Sequence, residues 1–532
     1  MSRVLVIGGY GGFGARLSRR LLAAGHEVLV AGRSAAKAAA FCAGLERAEP
    51  VVADRAQGIG MVLARHRPDL VIDAAGPFQA SDYTVPEACI AMRVPYADLA
   101  DGRDFVCGIG VLDKAAKAAG VAIVSGASSV PALSGAVARQ LAEGLERIGQ
   151  AEIAITASSR ATAGASVSAA ILSYAGKPVR LRRGRLESHG YGCQELRRER
   201  FGAAGWRWTA LAEVPDYDLL PAALPGRPSV TFRAGNDLGF QMLALWLGSW
   251  PVRWGWVKSL EGAAGWLLPL QRLTGKVGGD RSAMRVTLRG SGIERCWTLV
   301  ASGGDGPEIP TLAAALVAEE ILAGRVAPGT RDAAGLLTLD QFEPAFGALS
   351  IRHGIAERAA PPLYARAMGA RFEALPETVR NMHDISGDGG AAGEGRVQRG
   401  RHLLARAMGR LVRFPPSGSY PLHVGFAERG GVETWTRDFG GHHFASRLSQ
   451  AGDCVVERFG PMRFTFALPS DRQGLEMVLR RWSVFGVPLP RWLAPRIVGR
   501  EWEEDGRFRF LVEISAPLIG EVVRYTGWLE RL

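Results

Sequence analysis

The first residues in the chain whose spacing could do chemistry are Gly9-Tyr10-Gly11-Gly12-Phe13-Gly14. In such a run the first glycine permits a tight turn, the second lets backbone approach a pyrophosphate, and the third lets a helix pack closely on the preceding strand. Free N–H groups near Gly12 and Phe13, at the start of that helix, would hold phosphate oxygens with help from the helix dipole. About twenty residues on, where an NAD site presents Asp or Glu to the ribose 2′-hydroxyl, the chain reads Ala31-Gly32-Arg33-Ser34, with Lys37 one turn later. Arg33 and Lys37 supply positive charge and Ser34 a hydroxyl, a set that suits a 2′-phosphate and makes NADP(H) the expected cofactor. The plainer alternative is a solvated Arg and Lys at a helix start.

Polar residues that fall at or just after further apolar runs are the next candidates. Asp54 is placed to face the adenine, although an Asp after a strand also serves as a helix cap. The Ala75-Gly76-Pro77 backbone is placed beside the nicotinamide-side ribose. Tyr96, Asp98 and Ser128 are the candidates for proton transfer, with structural roles as the alternative for each. The histidines at 383, 423, 442 and 443 lack metal spacing, and the six cysteines include no Cys-x-x-Cys pair, so neither a metal site nor a disulfide framework is expected.

These residues need a scaffold, and the patterning supplies one. Residues 3 to 8 are an apolar run, Phe13, Leu17, Leu21 and Leu22 recur at helical spacing, and Glu27-Val28-Leu29-Val30-Ala31 gives a second strand. Further strands are read at Pro50–Ala53, Leu70–Asp73, Pro95–Leu99 and Val121–Val124, with helical stretches between them. This alternation predicts an α/β fold with a Rossmann doubly wound parallel sheet, whose ligands collect at the carboxyl ends of the strands.

Taken together, Val-Ile-Gly-Gly-Tyr-Gly-Gly-Phe-Gly, Ala-Gly-Arg-Ser, Ala-Ala-Gly-Pro-Phe and Tyr-Ala-Asp-Leu resemble the saccharopine dehydrogenase-like NADP-binding proteins. The resemblance extends to about residue 345, where Gly306-Pro307-Glu308-Ile309-Pro310 leads into a helix. It implies a Rossmann domain over 1–125, an α+β substrate or dimerisation domain over 126–307, and a helical return over 308–345. Asp98 matches the family's Tyr-x-Asp. The loop Ser125-Gly126-Ala127-Ser128-Ser129-Val130-Pro131 lacks the Asp that relatives carry near the Pro, so saccharopine is not the expected substrate and Ser128 stands nearest the absent acid.

Behind these domains, Ala359-Ala360-Pro361-Pro362 reads as a linker, and residues 365–532 as a separate antiparallel β-rich domain, a curved sheet or open barrel. Its strands are expected at 423–428, 432–439, 454–459, 463–468, 475–485, 507–514 and 521–529, with a glycine-rich loop over 386–395. Asp505-Gly506 between alternating flanks is a hairpin signal. The run Trp435-Thr436-Arg437-Asp438-Phe439 resembles an uncharacterised bacterial domain fused behind saccharopine dehydrogenase-like modules. In the middle domain, Trp246, Trp250, Trp254, Trp256 and Trp266 fall within 240–273, read as core plus dimer interface, with an apolar flap or peripheral membrane contact as the sharper alternative.

Composition bounds the function. The chain has 532 residues, 47% of them hydrophobic, without an 18-residue uncharged apolar stretch or a secretory leader, so a soluble cytoplasmic protein is expected. Its charge of +12 comes from 58 arginines and 6 lysines spread among 52 acids, with no nucleic-acid motif, so no nucleic-acid partner is expected. The reading is an NADP(H)-dependent oxidoreductase acting on a small-molecule carbonyl, imine or activated alkene, with a homodimer as its expected assembly. Alternatives are a reductase of lipid-like enoyl or keto compounds and a non-catalytic NADP- or lipid-binding scaffold.

Overall fold

The computed structural model describes residues 1–160, 165–183, 186–263 and 277–532. Strands β1 (Arg3–Ile7), β2 (Glu27–Gly32), β3 (Ala48–Val52), β4 (Leu70–Asp73), β5 (Tyr96–Asp98) and β6 (Ala122–Ser125) pair in parallel in the spatial order β6-β5-β4-β1-β2-β3. Their near-continuous Val, Leu and Ile content follows from burial on both faces, and Val4, Leu5, Val6, Val28, Leu29 and Val30 are fully buried. Helix α1 (Gly14–Ala23) presents Leu17, Leu21 and Leu22 to one face. A seventh strand, Gly329–Asp332, pairs in parallel with β6, and the helix Glu308–Leu322 lies against α1, so the chain returns to its first sheet. Arg16 and Arg20 pin that return by ion pairs of 3.1 and 2.8 Å to Glu308.

The middle sheet is mixed and also seven-stranded. Gln150–Ala157 and Ser229–Asn236 run parallel at its centre, flanked by antiparallel strands that end at Arg197–Arg200 on one side and Ile351–Ala359 on the other. Its inner face shares one contiguous apolar core with the first domain. The tryptophan-rich segment departs from the core expectation. Helix Gly239–Arg253 turns only Met242, Ser249 and Val252 fully inward, while Phe240, Leu243, Leu247, Trp254 and Trp256 are exposed. Trp246, Trp250, Trp254 and Trp256 instead pack on one another in a ladder with ring centroids 4.8–5.7 Å apart. Trp266 lies outside the described residues.

The C-terminal region is antiparallel, as expected, and it closes. Ten strands follow one another from Gly389–Arg399 round to Gly520–Arg531, which pair with each other, while Met462–Ala467 pairs with Gly474–Val484 to complete the barrel. The expected glycine-rich loop over 386–395 belongs to the strand Gly389–Arg399. Its glycines serve close strand approach, since a Cβ on Gly393 would stand 2.0 Å from the Trp528 carbonyl oxygen and one on Gly395 2.6 Å from the Phe439 ring. The strands His442–Ala451 and Arg496–Glu504 carry little strand signal in the sequence because polar residues dominate them, leaving Phe444 and Leu448, or Ile497, Val498 and Trp502, as large apolar residues. At Asp505-Gly506 both residues have positive φ, +54° and +69°, as a two-residue type I′ hairpin requires.

The barrel has its own core. Helices Leu363–Met368 and Glu377–His383 stop one end, the first of them beginning before the expected start at 365. His383 is fully buried there, stacked on Tyr364 with centroids 3.7 Å apart and with Nε2 2.5 Å from Glu501. That same end docks on the middle sheet through Arg289–Glu428 at 3.1 Å and a Ser229 hydroxyl donating to the Asp388 carbonyl at 2.7 Å.

Candidate active site

The carboxyl ends of β1 to β5 open into a cavity of about 700 Å³ that continues into the middle domain. The glycine run forms its first wall. Positive φ falls on Gly8 (+74°) rather than Gly9, and Gly9 is held by a Ser18 hydroxyl donating to its carbonyl at 3.0 Å. A Cβ on Gly14 would stand 2.1 Å from the Gly8 carbonyl oxygen, so helix and strand touch there as the spacing implies. Tyr10, Gly11, Gly12 and Phe13 line the cavity, and α1 starts with no side-chain cap and no acid in its first turn. The N–H groups of Gly12 and Phe13 are open to an anion, while that of Ala15 donates to the Gly11 carbonyl at 2.9 Å.

The end of β2, which carries no acid, is packed by Tyr10. The Tyr10 ring lies against Gly32, where a Cβ would be 2.5 Å from the ring, and the Tyr10 hydroxyl accepts from the Ser34 backbone N–H at 3.0 Å. A carboxylate side chain at position 32 would have to displace that ring. Arg33 is exposed and lines the cavity, and Lys37 is exposed nearby. Ser34 caps the helix Ala35–Cys42, accepting from the Lys37 backbone N–H at 3.3 Å. Asp54 lines the cavity and accepts from the Ala56 N–H at 3.0 Å. Ala75, Gly76 and Pro77 line the floor, their loop tied to buried Asp73, which accepts from the Ala75 N–H at 2.9 Å.

Sequence reasoning missed Arg55. It lines the cavity, pairs with Asp73 at 3.0 Å, donates to Ser81 at 2.8 Å and lies 5.0 Å over the Phe78 ring. Burial raises the Asp73 pKa, and the Arg55 charge opposes that rise. Arg55 thus joins the floor of the cleft to the loop that carries Gly76. Its sequence signal is an arginine directly after a strand-end acid.

The three acid/base candidates separate. Ser128 lines the cavity. Asp98 and Tyr96 do not: both are fully buried. Asp98 Oδ1 accepts from the N–H groups of Gly126 (2.7 Å) and Ala100 (3.0 Å) and from the Ser125 hydroxyl (3.1 Å), so it braces the loops after β5 and β6 from beneath. Burial pushes its pKa up to about 7.

Other polar groups reach the cavity from the middle-domain side. Tyr174 and Glu213 line it, as does Asp101 from the first domain. Glu213 is fixed by Arg103, which bridges Glu213 at 2.8 Å and Asp218 at 2.6 Å. Burial raises the pKa of Glu213, of Asp101 and, strongly, of Tyr174. Around them the wall is apolar, formed by Val167, Ile171, Val214, Phe232, Ala234 and Met284. No local pattern marked these residues, because strands and helices distant in sequence bring them together.

Family models match the first and the last domain of the chain. Residues 4–124 match the family model of the saccharopine dehydrogenase NADP binding domain, and residues 375–529 match a domain of unknown function (DUF4166). No curated protein matches the chain. Among solved structures, the apo saccharopine dehydrogenase (L-Glu forming) of Saccharomyces cerevisiae is similar at 12% identity over 68% of this chain and 100% of that one, with a TM-score of 0.47. The amine dehydrogenase of Mycobacterium smegmatis is similar at 12% identity over 64% of this chain and 96% of that one, with a TM-score of 0.36. The N-terminal domain is of the saccharopine dehydrogenase NADP-binding type, on a chain whose residues 375–529 are of the DUF4166 type.

Proposed function

We propose that the chain is an NADP(H)-dependent oxidoreductase that transfers hydride to or from a carbonyl, imine or activated alkene borne by an apolar small molecule. The observation that carries this reading is the continuity of the cavity, from the glycine turn and Arg33 at one end to the apolar wall of the middle domain at the other. A nucleotide pyrophosphate fits the open N–H groups at Gly12 and Phe13, and Arg33 with Lys37 suits a 2′-phosphate. When bound, the cofactor supplies or accepts the hydride. Arg55 and the Ala75-Gly76-Pro77 backbone orient its nicotinamide half, and the apolar wall excludes water from the reacting atoms.

The proton that accompanies hydride must come from the protein or water. Ser128, Tyr174 and Glu213 are the cavity residues best suited to handle it. Glu213 is drawn toward its neutral, donating form by burial and held in place by Arg103, while Tyr174 stays protonated and offers a hydroxyl hydrogen bond. Asp98 acts as a positioning residue through the 125–126 loop, and Tyr96 supports the sheet from within.

The test is consumption of NADPH by the purified chain with medium-chain ketones, enals and imines, set against short polar analogues. Tyr174→Phe and Glu213→Gln are each expected to lower turnover by about 100-fold, the scale of one general acid/base group, with NADPH affinity unchanged. The withdrawal of Asp98 and Tyr96 from the cleft favours a second reading, an NADP-binding scaffold without turnover. Bound NADPH that no substrate class oxidises would support it and overturn the first.

A further inference from the structure

The barrel has two unlike ends. At the junction end the hairpins Arg429–Val432 and Glu504–Arg507 meet the stopper helices and the middle sheet. At the far end, the register places together the connection 400–417 after Gly389–Arg399, the connection 485–495 after Gly474–Val484, and the turn 517–519 between the last two strands. No described part of the chain docks on that end as the middle sheet docks on the other, and it is apolar. Leu403, Leu404 and Met408 on the helix Leu403–Leu411, Phe485 and Trp492 in the long loop, and Leu518 at the turn are all exposed, Phe485 at 85% and Trp492 at 75%.

The helix is oriented against the usual rule. An amphipathic helix on a water-facing surface turns its large apolar residues inward. Here the residues turned to the barrel are small: Ala405 is 1% exposed, and Gly409 sits so close to Arg399 that a Cβ would be 3.3 Å from its guanidinium. Leucine and methionine face out, with Arg406 and Arg410 exposed among them.

Arginine predominates at this end, beside the acids Asp438 and Glu521 at strand tips. Residues 395–427 contain six arginines and no Asp or Glu, and residues 477–500 contain five arginines and no Asp or Glu. Arg401, Arg406, Arg410, Arg413 and Arg491 are exposed, and none has an ion pair among the described residues. Acids gather at the junction end, where Glu428, Glu433, Glu503, Glu504 and Asp505 stand.

Exposed aromatic and aliphatic tips, an outward-facing amphipathic helix and unpaired arginines on one rim match a surface that lies in the headgroup layer of an anionic membrane. We propose that the far end of the barrel is a membrane-docking face for anionic phospholipid, with the leucines, Phe485 and Trp492 entering the acyl boundary and the arginines meeting lipid phosphates and carboxylates. The inference is independent of the reading of the cleft. A protein partner or a second copy would be expected to answer such a cationic rim with a matching cluster of acids, and the barrel's own cluster stands at the junction end, where Glu428 is paired with Arg289 of the middle sheet.

The experiment uses the full chain and sedimentation with unilamellar vesicles of phosphatidylcholine alone or with about 30% phosphatidylserine, a surface for which each basic residue adds measurably to attraction. Binding is expected only with phosphatidylserine present, and it should weaken as salt rises. Phe485→Glu with Trp492→Glu, and separately Arg406→Glu with Arg410→Glu, should each reduce binding at least about tenfold while thermal stability and NADPH affinity stay unchanged. Failure to sediment with the anionic vesicles, or undiminished binding by both double variants, overturns the proposal. So does a concentration-dependent dimer that Trp492→Glu dissolves in a chain that ignores vesicles, since that would assign the face to a second copy.

Discussion

Glycine is used in opposite ways at the two ends of this chain. In the first domain, Gly11 and Gly14 remove side chains so that a helix start meets a strand end and leaves backbone open to a ligand. In the barrel, Gly393 and Gly527 remove side chains so that one strand can meet another, with a would-be Cβ 2.0 Å from Trp528 and Glu394 carbonyl oxygens respectively. The first kind builds a site and the second closes a wall. The residue type alone does not distinguish them. What does is the neighbourhood: an apolar strand before and a helical period after, or alternation on both sides.

Substitution at each kind of glycine should break the comparison in a different place. Gly14→Ala forces a Cβ onto the Gly8 carbonyl oxygen, so the turn must open, and NADPH affinity is expected to fall by about 100-fold, in the range of forcing an extra group into a filled contact. Isothermal titration measures it. Gly393→Val should instead cost about 1–3 kcal/mol in the barrel's own unfolding, read by chemical denaturation, and leave NADPH affinity as it was. If Gly393→Val also abolished cofactor binding, the two regions would be sharing one cooperative core rather than the separate ones seen here.

The candidate site was legible where its signal is local. The glycine run, the missing acid at 32 and the strand-end positions of Asp54, Ala75, Gly76 and Pro77 all follow from residues near one another in sequence, and each of these that can face the cavity does so. Asp98 shows the limit. It does stand at a strand end, but only the fold reveals that the loop after β6 crosses above it and takes up the carboxylate with the N–H of Gly126. Tyr174 and Glu213 could not have been chosen from sequence, because nothing nearby in the chain points them into a shared cavity. The strand Gly389–Arg399 was read as a loop for the same reason: its glycines make sense only beside Trp528 and Phe439.

Asp98 offers a subtler test. Its folded pKa of about 7 stands above the ordinary 3.8, so the folded chain holds the proton more tightly than the unfolded one. The stability it contributes is complete below about pH 4 and is lost as pH rises through 7. Asp98→Asn places an amide group at the buried Oδ2 position, which has no hydrogen-bond partner among the described residues. The variant should therefore be less stable at pH 5 by about 1–3 kcal/mol, with the deficit narrowing toward pH 8. NADPH affinity should not change. A deficit that widens with pH would mean that the carboxylate is held ionised and that Asp98 braces the loop as an anion.

The central claim is that the cleft is built for a dinucleotide carrying a 2′-phosphate, and one measurement meets it most directly: calorimetric titration of the purified chain with NADPH and with NADH. The geometry of Tyr10 over Gly32, with Arg33 at the cavity edge, predicts NADPH binding at least about tenfold tighter, the worth of one charged hydrogen bond, and predicts that Arg33→Ala removes most of that preference. Equal affinities, tighter binding of NADH, or no binding of either would contradict it.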